Sequence, residues 1–210
     1  MSSASAQTEE LIKEKAKVLI FQKGYLNATT QEIADEAGVN RALIHYYFRS
    51  REQMMEILLE EALNEKKMKV TESLSGNKPF REKIANYIDV VVNLGLTYPY
   101  FTNFVISEIN RHPDKEKLFC SKHKAKTVDL IRDQLEAEIK NGKLAPIPAE
   151  DFMVNLVSLC NYPLLAKPIL KTIHGMTDEA YYDFLRERKR TIFITVFGEE
   201  PPQSVFTSVN

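Results

Sequence analysis

The sequence holds only two cysteines among 210 residues, Cys120 and Cys160, and they stand far apart. Two cysteines so placed fit free thiols in a reducing interior better than a disulfide scaffold. Glycine is scarce too, at seven residues. With few strand-like alternations and no internal repeat, helical periodicity dominates, so the expected fold is all-α. No run approaches the ~18 apolar residues that a membrane span requires. The N-terminal MSSASAQ has no apolar segment behind it, so neither insertion nor secretion is expected, and the cytoplasm is the expected compartment. Bulk charge of one sign is also lacking, since 28 Lys and Arg against 29 Asp and Glu give a formal net charge of -1. Nucleic-acid binding must then come from local placement of cations rather than from overall basicity.

The usual anchors of catalysis are missing as well. There is no Gly-rich phosphate loop, no Ser/His/Asp arrangement and no pair of carboxylates in an apolar setting, so neither an enzyme nor a cofactor is expected. Cys120 and His123 form the one close Cys/His pair, and Cys160, His112 and His174 do not complete a zinc set, so no metal is expected.

What is present is concentrated between Ala28 and Arg51, in ATTQEIADEAGVNRALIHYYFRSR. Thr29 followed by Glu32 is a capping box that starts a helix. Ile33, Ala34 and Ala37 give that helix an apolar side, and Gly38 stops it, because glycine takes the left-handed conformation most cheaply. Val39 can plug the space before Asn40, a good N-cap for a second short helix with Ile44 and Phe48 four apart. Ser50 with Gln53 caps a third. Two short helices joined by a Gly-containing turn match the motif that lays its second helix in the DNA major groove, and they also match a helical corner inside any all-α protein.

Ile12, Ala16, Leu19, Ile20, Gly24-Tyr25, Thr29-Thr30, Ile33-Ala34, Ala37-Gly38-Val39, Ile44 through Phe48 and Ser50-Arg51-Glu52 together resemble the N-terminal domain of the tetracycline-repressor (TetR) family of bacterial transcription regulators. The resemblance covers roughly the first quarter of the chain. It implies that the helix from about Arg41 to Tyr47 reads DNA. On that reading Asn40 caps the helix, and Arg41 donates two bonds to a guanine edge. Ala42 allows close approach, and Leu43 either meets a thymine methyl or packs inward. Thr29, Thr30, Tyr46, Tyr47 and Arg51 are then expected to hold phosphates. At position 45, where the family most often carries tyrosine, this chain has His45, whose imidazole can donate to a phosphate.

The rest of the chain reads as a helical body. A first helix, about Gln7 to Lys23, braces the motif, and Lys13, Lys15 and Lys17 on it face either solvent or DNA backbone. The helix from Arg51 is a connector running to a break at Gly76-Asn77-Lys78-Pro79. Helices follow at about Phe80 to Tyr98, Tyr100 to Arg111, Asp114 to Lys140, Asp151 to Ile173 with bends at Pro163 and Pro168, and Thr177 to Phe197. Arg186, Arg188, Lys189 and Arg190 cluster in the last, as a nucleic-acid patch, a solvated face or an ion-pair rim. Should a ligand cavity exist, Tyr87, Phe101, Phe104, Met153 and Asn155 mix apolar area with polar handles as small-molecule pockets do.

The expected organisation is a helix-turn-helix domain at 1–53, an effector-binding and dimerisation domain at 54–200 and a flexible tail at 201–210. The function implied is a homodimeric repressor of a palindromic double-stranded operator, paired through its last two long helices and released by a small-molecule effector, with no membrane partner. A constitutive DNA-binding regulator without an effector and an all-α interaction adaptor are the alternatives.

Overall fold

The computed structural model describes residues 3–112, 126–202 and 206, and all regular structure among them is helical. Helix α1, Ser3–Lys17, widens into a π-type turn at Val18–Gln22. The single regular helix expected there gives way because one wide turn lets three successive side chains, Leu19, Ile20 and Phe21, face inward. Helices α2, Thr30–Ala37, and α3, Arg41–Phe48, follow, and α4, Arg51–Leu74, leads away from them. The body comprises α5, Phe80–Thr97, α6, Phe101–Arg111, α7, Lys126–Lys140, α8, Ala149–Leu165, α9, Lys167–His174, and α10, Asp178–Phe197. Leu118 and the Cys120-Ser121-Lys122-His123 stretch lie outside the described residues.

The expected helix from Asp151 to Ile173 is two helices, α8 and α9, meeting at 71° around Ala166. Pro163 removes one hydrogen bond near the end of α8, and Pro168 sits in the first turn of α9, where a backbone N–H is not needed. No single helix among the described residues is long and apolar enough to cross a membrane.

Two apolar clusters hold the chain together. The first gathers Ile12, Ile20, Ile33, Ile44 and Phe48 from α1 to α3 with Met54 to Leu59 of α4, and takes in Phe101 and Phe104 of α6. The second joins Val70 and Leu74 of α4 to α5, α7, α8 and α10 through Ile84, Ile131, Leu156 and Phe193, with Phe206 packed on its edge. Helix α4 therefore belongs to both. Buried Lys189 of α10 ties itself to α5 by donating to Asp89 and Asn93, each at 2.7 Å.

The joint between the first three helices and the body is aromatic, and it lies within the first cluster. Phe21 has no exposed surface, and its ring meets those of Tyr98, Phe101 and Phe104 at centroid distances of 5.9, 5.3 and 5.2 Å. The backbone N–H of Tyr100 donates to the Phe21 carbonyl at 2.9 Å. Gly24, at φ 82°, passes so close to the Tyr100 ring that a Cβ would lie 3.0 Å from it. Phe21→Ala should cost about 3–5 kcal/mol of stability in urea denaturation. Gly24→Ala should cost about 1–2 kcal/mol from backbone conformation and more from the ring.

Candidate nucleic-acid interface

The turn between α2 and α3 is built by local chemistry. The Thr29 hydroxyl accepts from the Glu32 N–H at 3.2 Å, and the Glu32 carboxylate accepts from the Thr29 N–H at 2.8 Å, so two donors that a helix start leaves open are satisfied reciprocally. Those bonds to Thr29 hold the Glu32 carboxyl below its ordinary value. The box accordingly supports the fold at neutral pH and is lost as pH falls through that lowered value. Gly38 ends α2 at φ 66°, and the next N–H, of Val39, reaches back to Ala34 at 3.0 Å. The side-chain oxygen of Asn40 then accepts from the Ala42 N–H at 2.8 Å and starts α3.

Helix α3 is anchored by two side chains. Ile44 and Phe48 are buried, and Leu43 is half-buried against the same cluster. Arg41, Ala42, His45 and Tyr46 are exposed, Tyr46 to 72%. Arg41 donates through Nε to the Thr30 hydroxyl at 3.0 Å, which fixes its stem against α2. The Tyr47 hydroxyl lies 3.3 Å from that of Ser5, and its ring meets Tyr46 edge-on at 5.0 Å. His45 places Nδ1 3.1 Å from the Arg49 carbonyl. Arg49 was not singled out by the sequence. It is exposed at the end of α3 with φ 61°, and only its place between Phe48 and the Ser50 cap pointed to it.

Three expected phosphate contacts have other engagements. Arg51 turns inward, donating from Nε to the Ala28 carbonyl at 2.6 Å and from a terminal nitrogen to the Leu26 carbonyl at 3.3 Å, because the loop before α2 presents carbonyls that need donors. Thr30 is buried and accepts from Arg41, while Thr29 is exposed but spent on the cap. Lys13 and Lys17 pair with Glu61 of α4 at 2.7 and 3.3 Å, so they brace the connector.

The ligand candidates are not brought together. Phe101 and Phe104 belong to the first cluster, Tyr87 and Met153 to the second, and Asn155 is exposed at the rim of a cavity of about 540 Å³ between α8, α10 and the loop at Leu144 to Ile147. The basic cluster of α10 also divides. Arg186 pairs with Asp183, Arg190 with Glu200, and Lys189 points into the body.

A helix-turn-helix whose second helix is anchored by two side chains and otherwise open, carried on a helical body, defines the class as DNA-binding transcription regulators. Residues 12–58 match the pattern of bacterial regulatory proteins of the tetR family. It is 25% identical over 178 residues to the probable HTH-type transcriptional regulator YttP of Bacillus subtilis, across 83% of this chain and 86% of that protein. With the HTH-type transcriptional regulator RutR of Escherichia coli K12 it shares 24% identity over 211 residues and 92% of each chain. Its fold is similar to that of the TetR family transcriptional regulator PfmR from Thermus thermophilus, with a TM-score of 0.63 at 16% identity over 87% of this chain and 96% of that one.

Because Arg51 bonds to carbonyls of its own chain, Arg51→Ala should lower stability by about 1.5–3 kcal/mol in denaturant titration. The salt dependence of DNA affinity should stay as in the parent, whereas a phosphate-holding arginine would lower that slope by about one.

Proposed function

We propose that this regulator is a homodimeric repressor of a palindromic operator, released by a small-molecule effector, and that it works in the cytoplasm. The observation that carries the reading is the open side of α3, where Arg41, Ala42, His45 and Tyr46 stand together with no apolar neighbour covering them. Arg41 reads a guanine edge, Ala42 and Leu43 set the approach, and His45, Tyr46 and Tyr47 position phosphate. Residues 1–53 serve as the reading head, 54–200 as the body that binds effector and second subunit, and 201–210 as the tail.

Pairing of two subunits is supported by apolar side chains left in solvent on α8 and α9. Val154 is 62% exposed, Tyr162 58%, Ile169 58% and Ile173 70%, on helices next to α10. A two-fold pair joined there sets its two reading helices roughly 34 Å apart, one turn of duplex. Effector release is supported by the sharing of α4 between the clusters, since displacement of its body end is carried to the end that holds α3.

Footprinting on the intergenic DNA beside the gene tests the whole reading, with a protected inverted repeat expected. In that site, Arg41→Ala should cost about 1–3 kcal/mol at one base position and relax preference there. Equal losses on specific and random duplex would refute its base-reading role. Val154→Asp combined with Ile173→Asp should yield a folded monomer by sedimentation, with operator affinity down at least tenfold; an unchanged dimer would remove α8 and α9 from the interface.

A further inference from the structure

Helix α3 ends in a turn that its central residue does not favour. Arg49 has φ 61° and ψ -47°, and the Ser50 N–H reaches back across it to the Phe48 carbonyl at 2.6 Å. This is the γ-turn of the rarer, strained hand. Among the described residues Arg49 is the one non-glycine at positive φ. His45, one helical turn earlier, braces it twice. The Arg49 N–H donates to the His45 carbonyl at 3.0 Å, and His45 Nδ1 lies 3.1 Å from the Arg49 carbonyl.

A carbonyl oxygen only accepts, so the second of these bonds decides where the ring keeps its proton. Nδ1 carries it and donates to Arg49. In the neutral imidazole the outer nitrogen, Nε2, is then a bare acceptor. A DNA phosphate is an acceptor as well, and the neutral ring has no hydrogen left to offer it. The imidazolium has one on each nitrogen, and its bond to phosphate is charge-assisted. Turning Nδ1 to the DNA instead would take the brace off the strained turn.

No carboxylate is set to hold a positive charge on this ring before DNA arrives. His45 is exposed, and among the described residues it forms no ion pair. Its charged neighbours one turn away on α3 are two cations, Arg41 and Arg49. The helices packed beside α3 are α2 and α4. The acids of α2 are engaged elsewhere, Glu32 by Thr29, Asp35 by Gln31 and Glu36 by Lys23. Helix α4 opens with Arg51, turned to the Leu26 and Ala28 carbonyls, and Glu52. From α1, Ser5 meets Tyr47.

We infer that His45 engages DNA as an imidazolium, with Nδ1–H on the Arg49 carbonyl and Nε2–H on a phosphate, so that each subunit takes up a proton as it binds. This rests on the phosphate-positioning role proposed for His45 and adds the protonation state in which that role is performed. The sign follows from linkage. Bound phosphate favours the protonated ring, so the contact is complete at low pH and is lost as pH rises through the range in which the DNA-bound ring gives up its proton. Tyrosine, which the family most often carries at this position, keeps its hydroxyl hydrogen across that range and would show no such dependence.

The test uses the full-length protein with the footprinted duplex and with a random duplex of equal length, since a phosphate contact is blind to sequence. Affinity and its salt dependence are measured between about pH 5 and 8, where imidazoles change charge, for the parent and for His45→Tyr. On both duplexes the parent should weaken with rising pH by up to about tenfold per pH unit for each subunit engaged. Its salt slope should be steeper at the acid end by about one per subunit. His45→Tyr should lose both effects. Calorimetry of the parent in two buffers of different ionisation heat should count the proton taken up. Nitrogen NMR of the DNA-free parent at the alkaline end, with the His45 signals identified by their absence from His45→Tyr, should place the ring proton on Nδ1. Equal pH dependence in parent and variant, no proton uptake by the parent, or a neutral ring protonated on Nε2 would each overturn the inference while leaving α3 as the reading helix. A parent that binds neither duplex overturns both.

Discussion

Phe21 pressed into the rings of Tyr98, Phe101 and Phe104 is the contact on which the rest of the molecule depends. Three short helices of some fifty residues cannot bury enough apolar surface to stand firmly alone. They complete their core with side chains of the body. Burying one phenylalanine contributes about 2–3 kcal/mol, and each edge-on ring pair adds about 0.5–1.5 kcal/mol. The half-buried ion pairs of Lys13 and Lys17 with Glu61 contribute less and mainly fix the direction of α4 against α1. The aromatic joint thus makes the position of α6 part of the stability of the reading head.

That arrangement explains how eight residues of α3 remain ordered while showing so much of themselves to solvent. A helix of this length has little stability of its own. Asn40 supplies a cap, Ile44 and Phe48 supply anchors, and the turn at Gly38 sets the angle. Arg41, Ala42, His45 and Tyr46 are then left open to solvent. The cost is a large exposed ring at Tyr46, which no stability argument accounts for and which a DNA-binding surface does.

The body sorts its charges by a similar economy. Lys189 and Arg188 are adjacent on α10, yet one is enclosed with a carboxylate and an amide while the other is half-buried, its Nε without a partner among the described residues. Since an enclosed cation is stable only when matched, Lys189 is a charge used to lock α5 to α10. Helix α4 is the element that both clusters share.

The sequence alone determined the helices of the motif and the class of the protein, because caps, glycine stops and apolar periods act within a few residues. Thr29 with Glu32, Gly38, Asn40 and Ser50 each did in the structure what local chemistry requires of them. The tertiary structure alone decided which polar side chains are free. Arg51 reads as a phosphate holder until the Leu26 and Ala28 carbonyls appear beside it, and Lys189 reads as a surface charge until Asp89 does. Phe21, Tyr98, Phe101 and Phe104 carry no signal of their meeting, since a ring records that it will be buried and not against what. Local patterns fix backbone conformation over one or two turns, whereas the partner of a side chain is set by packing between segments up to a hundred residues apart, as for Lys189 and Asp89.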